Sequence, residues 1–171
     1  MAIIHASAND IPALVDLLNS AYRGEGSKRG WTTEADMISG EIRTDQPTLK
    51  KLMTSAGAVF LKYVNEENEI VGCVFLHQRG EKLYLGMLCV SPVLQAKGTG
   101  KELMKAAEQH AKETNCEAIF MRVVSVRHEL INWYERQGYQ LTGEAEPFPQ
   151  NDPFGTPTTP LEFLIMEKKI S

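Results

Sequence analysis

The chain has few of the features that mark several large classes of protein. It contains only three cysteines among 171 residues, and no two of them form a CxxC pair. Its four histidines do not lie at ligand spacing from the cysteines, so the sequence predicts no metal site. Its net charge of −4 leaves no excess of lysine and arginine for nucleic-acid binding. We therefore expect no nucleic-acid partner and reduced, buried thiols at Cys73, Cys89 and Cys116.

Long apolar runs are also missing. No segment reaches the roughly 20 apolar residues that a membrane-spanning helix requires. The first five residues lack the basic and apolar regions of a signal peptide. We therefore expect no membrane association and a reducing cytoplasmic setting. The length, with 43% hydrophobic and 23% charged residues, is typical of one globular domain over residues 1–171.

Hydrophobic periodicity and turn residues predict a mixed α+β domain. Apolar spacing and capping residues indicate helices at 9–22, 33–40 and 47–53, a longer helix after residue 100, and one that contains Leu130 and Tyr134 and ends at Gly138. Strands are predicted at 2–6, 59–64, 70–76, 82–90, 118–124, 139–142 and 161–166. A long loop rich in proline, glycine and asparagine is predicted at 144–160.

The most informative segment is Gln95-Ala96-Lys97-Gly98-Thr99-Gly100, which joins an apolar strand to an amphipathic helix. Backbone N–H groups in such a loop can point at an anion, and the helix N-terminus adds partial positive charge. The loop is not a P-loop, because Gln95 and Glu102 stand where glycine and serine or threonine are needed. A Rossmann fingerprint is disfavoured by Leu103, and the downstream motifs of a kinase are missing. A plain turn without a ligand stays open.

The surrounding residues resemble a known family. The lead-in Leu88, Val90 and Pro92, followed by Gln-x-x-Gly-x-Gly, resembles the acyl-CoA-binding motif of the GNAT acyltransferases. The segment Trp133–Tyr139 is similar to that family's Tyr-x-x-x-Gly-Phe/Tyr ending, and Met166-Glu167-Lys168 is similar to its last strand. The resemblance implies a mostly antiparallel central sheet of about seven strands, flanked by helices and splayed at the motif strand.

The resemblance also implies that acetyl-CoA is the acyl donor and that no metal takes part. The backbone of residues 96–100 would hold the pyrophosphate, with charge added by Lys97 and Lys101. The backbone of the motif strand would hold the pantetheine arm by added-strand pairing, and would supply an oxyanion donor near Cys89. The implied cofactor residues are Leu88, Cys89, Val90, Gln95, Ala96, Lys97, Gly98, Thr99, Gly100 and Lys101.

Two side chains are candidates for the chemistry itself. By its family position, Tyr134 is implied to be the acid that protonates the leaving thiolate; the alternative is an aromatic core residue. Cys89 is either an acyl nucleophile or a buried thiol, and its apolar neighbours Leu88 and Val90 favour the thiol.

Relatives place an asparagine where this chain has Arg127. Arg127 would therefore contact a CoA phosphate, contact an acid on the acceptor, or lie on the surface.

The acceptor is not specified by the motif. The candidate acceptor-binding residues are Trp31, Glu34 and Arg127, and Glu144 and Glu146 would attract a cationic amine. A general base is not identified, since Glu25, Glu34 and Asp36 are more typical of solvated charges or helix caps than of a base. The resemblance implies direct transfer of acetyl to a primary amine in a ternary complex, the acceptor being a small molecule or a peptide N-terminus. The alternative is a non-catalytic acyl-CoA-binding or sensing module. Relatives also pair through their last strands, which makes a homodimer an expectation.

Overall fold

A computed structural model of the chain describes residues 2–22, 44–92, 98–147 and 161–170. These residues form a sheet flanked by helices, as the sequence predicts. The strands are β1 (Ala2–His5), β2 (Ala58–Val64), β3 (Ile70–Arg79), β4 (Lys82–Val90), β5 (Ala118–Val124), β6 (Gln140–Pro147) and β7 (Glu162–Lys169). The helices are α1 (Ile11–Tyr22), which follows a single 3-10 turn, α2 (Gln46–Met53), α3 (Thr99–Glu113) and α4 (His128–Arg136).

The strands form one sheet in the order β1-β2-β3-β4-β5-β7-β6. Each neighbouring pair is antiparallel except β4 and β5, which run parallel because α3 connects them as a crossover. The expectation of a mostly antiparallel sheet of about seven strands is therefore confirmed. The predicted helix at 33–40 lies outside the described residues.

Helices cover both faces of the sheet, so the core has two layers. On one face, α1 and α2 pack through Leu14, Leu18 and Leu49 against β2, β3 and β4. On the other face, α3 and α4 pack through Leu103 and Ile131 against residues of β2, β3, β4, β5 and β7. The apolar stripes of the helices, which recur at helical spacing, determine which sides are buried. Residues in β4 therefore alternate between the two layers, with Cys89 facing α1 and Leu88 facing α3 and α4.

Strand β6 corrects one sequence prediction. The strand was expected to end at Thr142 and to be followed by a loop from residue 144, but β6 continues to Pro147. Its register with β7 shifts between Leu141 and Ala145. The turn-forming residues in this stretch therefore produce an irregularity within the strand, after which pairing resumes. As a result, Glu144 and Glu146 belong to a strand, and the rest of the predicted loop, residues 148–160, lies outside the described residues.

Candidate functional site

The candidate site is a gap between β4 and β5. The two strands pair at three positions, Lys82↔Ala118, Leu83↔Ile119 and Tyr84↔Phe120, and among the described residues no further pair continues the ladder. Beyond Tyr84, strand β4 is distorted: Met87 has a φ of 51°, and the register against β3 shifts between Cys73 and Phe75. The splay expected at the motif strand is thus present. Its effect is to leave peptide groups of β4 without a β5 partner.

The backbone groups that face this gap belong to Leu88 and Val90. The N–H of Ser91 donates to the carbonyl of Val71 in β3 at 2.8 Å, so the peptide groups of Ser91 face β3. Successive residues of a strand point their N–H and C=O groups to opposite sides, so residues two apart face the same side. Cys89, two residues before Ser91, therefore also faces β3, directly opposite Cys73. The N–H of Cys89 itself therefore faces β3, and the predicted oxyanion donor near Cys89 falls on a neighbouring residue of β4. Leu88 and Val90 have the backbone groups that point into the gap.

Tyr22, at the end of α1, reaches into the same gap. Its hydroxyl donates a hydrogen bond to the carbonyl oxygen of Leu88, which confirms the direction of that peptide group. The ring is buried at 8% exposure. From the sequence alone, Tyr22 marks only the end of the first predicted helix. An aromatic residue with a hydroxyl at the end of a buried helical stripe was the available signal, because a buried tyrosine hydroxyl usually has a partner.

A cavity of about 110 Å³ lies at the gap, and Tyr134 is one of its walls. Tyr134 is buried on the inner face of α4, where its ring makes edge contacts with Trp133 and Tyr139. Burial raises the pKa of Tyr134 well above its ordinary value, although the positive charge of Arg127 acts in the opposite direction. The hydroxyl therefore stays protonated at neutral pH and is available as a proton donor.

Arg127 lines the same cavity and is the residue that precedes α4. The structure therefore brings together Tyr134, Arg127 and Leu88, three residues that the sequence analysis singled out separately. Tyr84 and Gly86 form a further part of the wall. A Cβ on Gly86 would lie 2.9 Å from the ring and the hydroxyl of Tyr84, so only glycine allows that ring to fold back against the strand.

The start of α3 follows the end of β4 closely. Gly98 precedes the first turn with a φ of 81°, a left-handed conformation that favours glycine whether or not a ligand is present. Thr99 and Gly100 are buried, while Lys101 is exposed in the first turn. The N-terminus of this 15-residue helix is a suitable position for an anion. Gln95, Ala96 and Lys97 lie outside the described residues.

The cysteines are buried free thiols, as predicted. Cys89 is fully buried, and its sulfur lies 3.6 Å from the sulfur of Cys73. The hydrogen bond with Cys89, together with burial, raises the pKa of Cys73. This apolar setting stabilises neutral thiols, and it argues against Cys89 as a nucleophile.

Other predicted site residues are only partly located. Trp31 and Glu34, together with Glu25 and Asp36, lie outside the described residues. Within the described ranges, no group of three His, Cys, Asp or Glu side chains is arranged to hold a metal ion. None of the helices in those ranges is long and apolar enough to span a bilayer.

Comparison with known proteins gives a consistent result. The sequence profile described as "Acetyltransferase (GNAT) family" matches residues 11–139, more than half of the chain. A protein of Bacillus subtilis strain 168, described as uncharacterized protein YdhI, is 29% identical over 78 residues. That match covers 46% of this chain, and the chain spans about half the length of that relative (48%).

Solved structures match over nearly the whole chain. The crystal structure of smu.2055 from Streptococcus mutans UA159 has a TM-score of 0.76 at 15% identity and covers 100% of both chains. The ribosomal-protein-S18-alanine N-acetyltransferase of Escherichia coli has a TM-score of 0.72 at 13% identity, covering 99% of this chain and 94% of that one. An aminoglycoside 6'-N-acetyltransferase complexed with coenzyme A has a TM-score of 0.71 at 16% identity, covering 100% and 98%. At these identities the structures establish a shared fold.

Proposed function

Because the chain belongs to the GNAT acetyltransferase family, we propose that it transfers the acetyl group of acetyl-CoA to a primary amine by direct attack in a ternary complex. The observation that carries this proposal is the gap between β4 and β5. There, the backbone of Leu88 faces the gap beyond the last β4–β5 pair, and Leu88 lines the same cavity as Tyr134.

The residues at the gap fit an acyl-CoA. Peptide groups of β4 that face the gap can pair with an extended amide-containing chain such as pantetheine. The strand leads directly to the N-terminus of α3, where the positive end of the helix suits the pyrophosphate. Acetyl-CoA supplies an activated acyl thioester.

The N–H of Leu88 is the proposed donor to the acetyl carbonyl oxygen. Leu88 lines the cavity that Tyr134 also lines, and a fixed backbone donor stabilises negative charge as it develops on oxygen. The hydrogen bond from Tyr22 to the Leu88 carbonyl holds this part of β4 in place. Tyr22 is therefore a positioning residue for the strand.

Tyr134 is the proposed acid. The amine nitrogen forms a bond to the acetyl carbon, the carbon–sulfur bond breaks, and the sulfur takes a proton from the Tyr134 hydroxyl. The amine, which is neutral when it attacks, loses one proton to solvent or to a base that the described residues do not identify. The Tyr134 oxygen then regains a proton from solvent.

The test replaces the hydroxyl alone. We expect Tyr134→Phe to lower kcat about 100-fold, the lower end of the range for loss of a general acid. Its affinity for acetyl-CoA should stay within about twofold of wild type, because the cofactor is held mainly by β4 and α3. Turnover is followed by release of free thiol from acetyl-CoA with a panel of amines, amino acids and peptides, and affinity by calorimetry.

The matched control is Tyr139→Phe, which removes the same group from the ring next to Tyr134 but outside the cavity wall. This variant should keep the wild-type kcat. An unchanged kcat in Tyr134→Phe would remove Tyr134 from the mechanism. Tight binding of acetyl-CoA without turnover of any acceptor would instead support a binding or sensing module.

The acceptor class is a small-molecule amine or a peptide N-terminus. Proteins that share the fold include enzymes whose names indicate both classes, an aminoglycoside N-acetyltransferase and a ribosomal-protein-alanine N-acetyltransferase. The fold therefore accommodates both, and the choice depends on side chains at the acceptor side of the gap.

A further inference from the structure

Arg122 contacts two aromatic rings at the gap. Its guanidinium carbon lies 5.5 Å from the centre of the Tyr84 ring and 5.2 Å from the centre of the Phe163 ring. Arg122 lies in β5 two residues beyond Phe120, the last residue that pairs with β4. Its side chain also lines the cavity whose walls include Leu88 and Tyr134. Cation–π contacts with two rings restrain the guanidinium without using its N–H donors.

The polar contacts of Arg122 are long. One terminal nitrogen lies 3.4 Å from the Tyr84 hydroxyl, and the other lies 3.6 Å from a carboxylate oxygen of Glu146. The side chains of Arg122 and Glu146 are 37% and 52% exposed, so this ion pair contributes little to stability. A guanidinium has five N–H donors, and a close bidentate pair with a carboxylate places oxygens at about 2.8 Å. Arg122 therefore has the capacity to bind a second oxyanion.

The position of Arg122 relates it to the proposed reaction. If the parallel register of Tyr84↔Phe120 continued, Arg122 would lie level with Gly86, two residues before Leu88. That spacing is about 7 Å along the strand, at a rise of about 3.3 Å per residue. Because Gly86 has no side chain, β4 leaves space between these two levels. A small acceptor bound to Arg122 would thus have its amine within a few bonds of the proposed acetyl position.

We infer that Arg122 binds a carboxylate of the acceptor, so that the acceptor is a free amino acid or a closely related amine with a carboxylate a few bonds from its nitrogen. This inference rests on the proposed function and specifies its acceptor. It favours a free amino acid over a peptide N-terminus, where the corresponding carboxylate is a neutral amide. It also replaces the expectation that Glu144 and Glu146 attract a purely cationic amine, because Glu146 faces Arg122.

The experiment compares acceptor pairs that differ by the carboxylate alone. Alanine, methionine and phenylalanine are assayed beside their amides and beside the amines that lack the carboxylate, by thiol release from acetyl-CoA. Wild type should prefer the amino acids. Arg122→Gln should lower kcat/KM for them about 10- to 100-fold, mainly through KM, since a charge-assisted contact contributes about 1.5–3 kcal/mol. The other acceptors should change by less than about threefold.

The matched control is Arg79→Gln. Arg79 also lies over the Tyr84 ring, at 4.3 Å, but does not line the cavity. It should leave the preference for amino acids unchanged. Glu146→Gln removes the competing carboxylate and should lower KM for amino acids. Arg122→Lys should recover only part of the preference, because an ammonium cannot form the bidentate pair.

Equal losses for all acceptors in Arg122→Gln would overturn the inference and leave Arg122 a structural residue. Wild-type preference for the amides or for the amines without a carboxylate would overturn it as well. Failure of the proposed function is distinguishable, because it appears as absence of turnover with every acceptor. In that case, calorimetry in the presence of CoA measures whether the same amino acids bind, and so tests the inference without turnover. Binding that is lost in Arg122→Gln supports the inference, and undetectable binding by wild type refutes it.

Discussion

Two buried tyrosines allow one chemical change to be tested with opposite expected results. The hydroxyl of Tyr22 donates to the Leu88 carbonyl, whereas the hydroxyl of Tyr139 is buried with no hydrogen-bond partner among the described residues. The rings are 8% and 1% exposed, respectively, so both variants to phenylalanine keep a buried ring. The difference between the two variants therefore reports on the hydrogen bond alone.

The magnitudes follow from the partners. Tyr22→Phe leaves the Leu88 carbonyl without its donor, and a buried unsatisfied acceptor costs about 1–3 kcal/mol. Because the gap gives water some access to this carbonyl, we expect the lower half of that range, about 1–2 kcal/mol of destabilisation. Tyr139→Phe removes an unpaired hydroxyl and should be neutral or stabilise the fold by about 1 kcal/mol.

Urea denaturation followed by circular dichroism measures both free energies of unfolding, and the m-values check that the unfolding transition is unchanged. For a chain of this size, each kcal/mol corresponds to about 2–4 °C in Tm. The reasoning would be refuted if Tyr139→Phe destabilised the protein as much as Tyr22→Phe. It would be equally refuted if Tyr22→Phe had no effect, because the hydrogen bond to Leu88 would then contribute nothing.

Two further predictions concern cysteine and histidine. Cys89→Ala should keep kcat within about threefold while lowering stability by about 1–2 kcal/mol through the space left in the core; loss of turnover in a variant that still binds acetyl-CoA would support a nucleophilic thiol. Burial and the nearby His5 lower the pKa of His110 in the folded state, so the unfolded chain takes up its proton first as the pH falls. The free energy of unfolding should therefore decrease from about pH 7 to pH 5, and His110→Gln should make that decrease smaller, as measured by urea denaturation at each pH; an identical decrease in both proteins would contradict the prediction.

Local sequence signals were sufficient for much of the fold. Turn residues identified the hairpin of β2 and β3, and Gly138 follows α4 with a φ of 97°, as its predicted capping role requires. The family motif located the gap and Tyr134. These features depend on short segments, whose periodicity and turn chemistry are visible in the sequence.

The remaining features depend on contacts between segments distant in sequence. Which of Leu88 and Cys89 presents its N–H to the gap follows from the pairing with β3 and the bulge beside Met87. The role of Tyr22 depends on the direction in which α1 crosses β4. Arg122 alternates with apolar residues in a strand and is therefore typical of a solvent-facing position. Its contacts with the Tyr84 and Phe163 rings follow from the packing of β4, β5 and β7.

The three-position contact between β4 and β5 has a thermodynamic consequence. It divides the sheet into two parts that are each contiguous in sequence, β1 to β4 and β5 to β7, and within the described residues strand pairing joins them at those three positions only. A ligand that fills the gap would bridge the two parts, and its binding would be linked to their cohesion. By that linkage, saturation at about 100 times Kd adds about 2.7 kcal/mol to the free energy of unfolding. In the free protein, β4 and β5 form fewer strand-pairing hydrogen bonds because of the gap. A ligand that pairs with β4 would replace some of them.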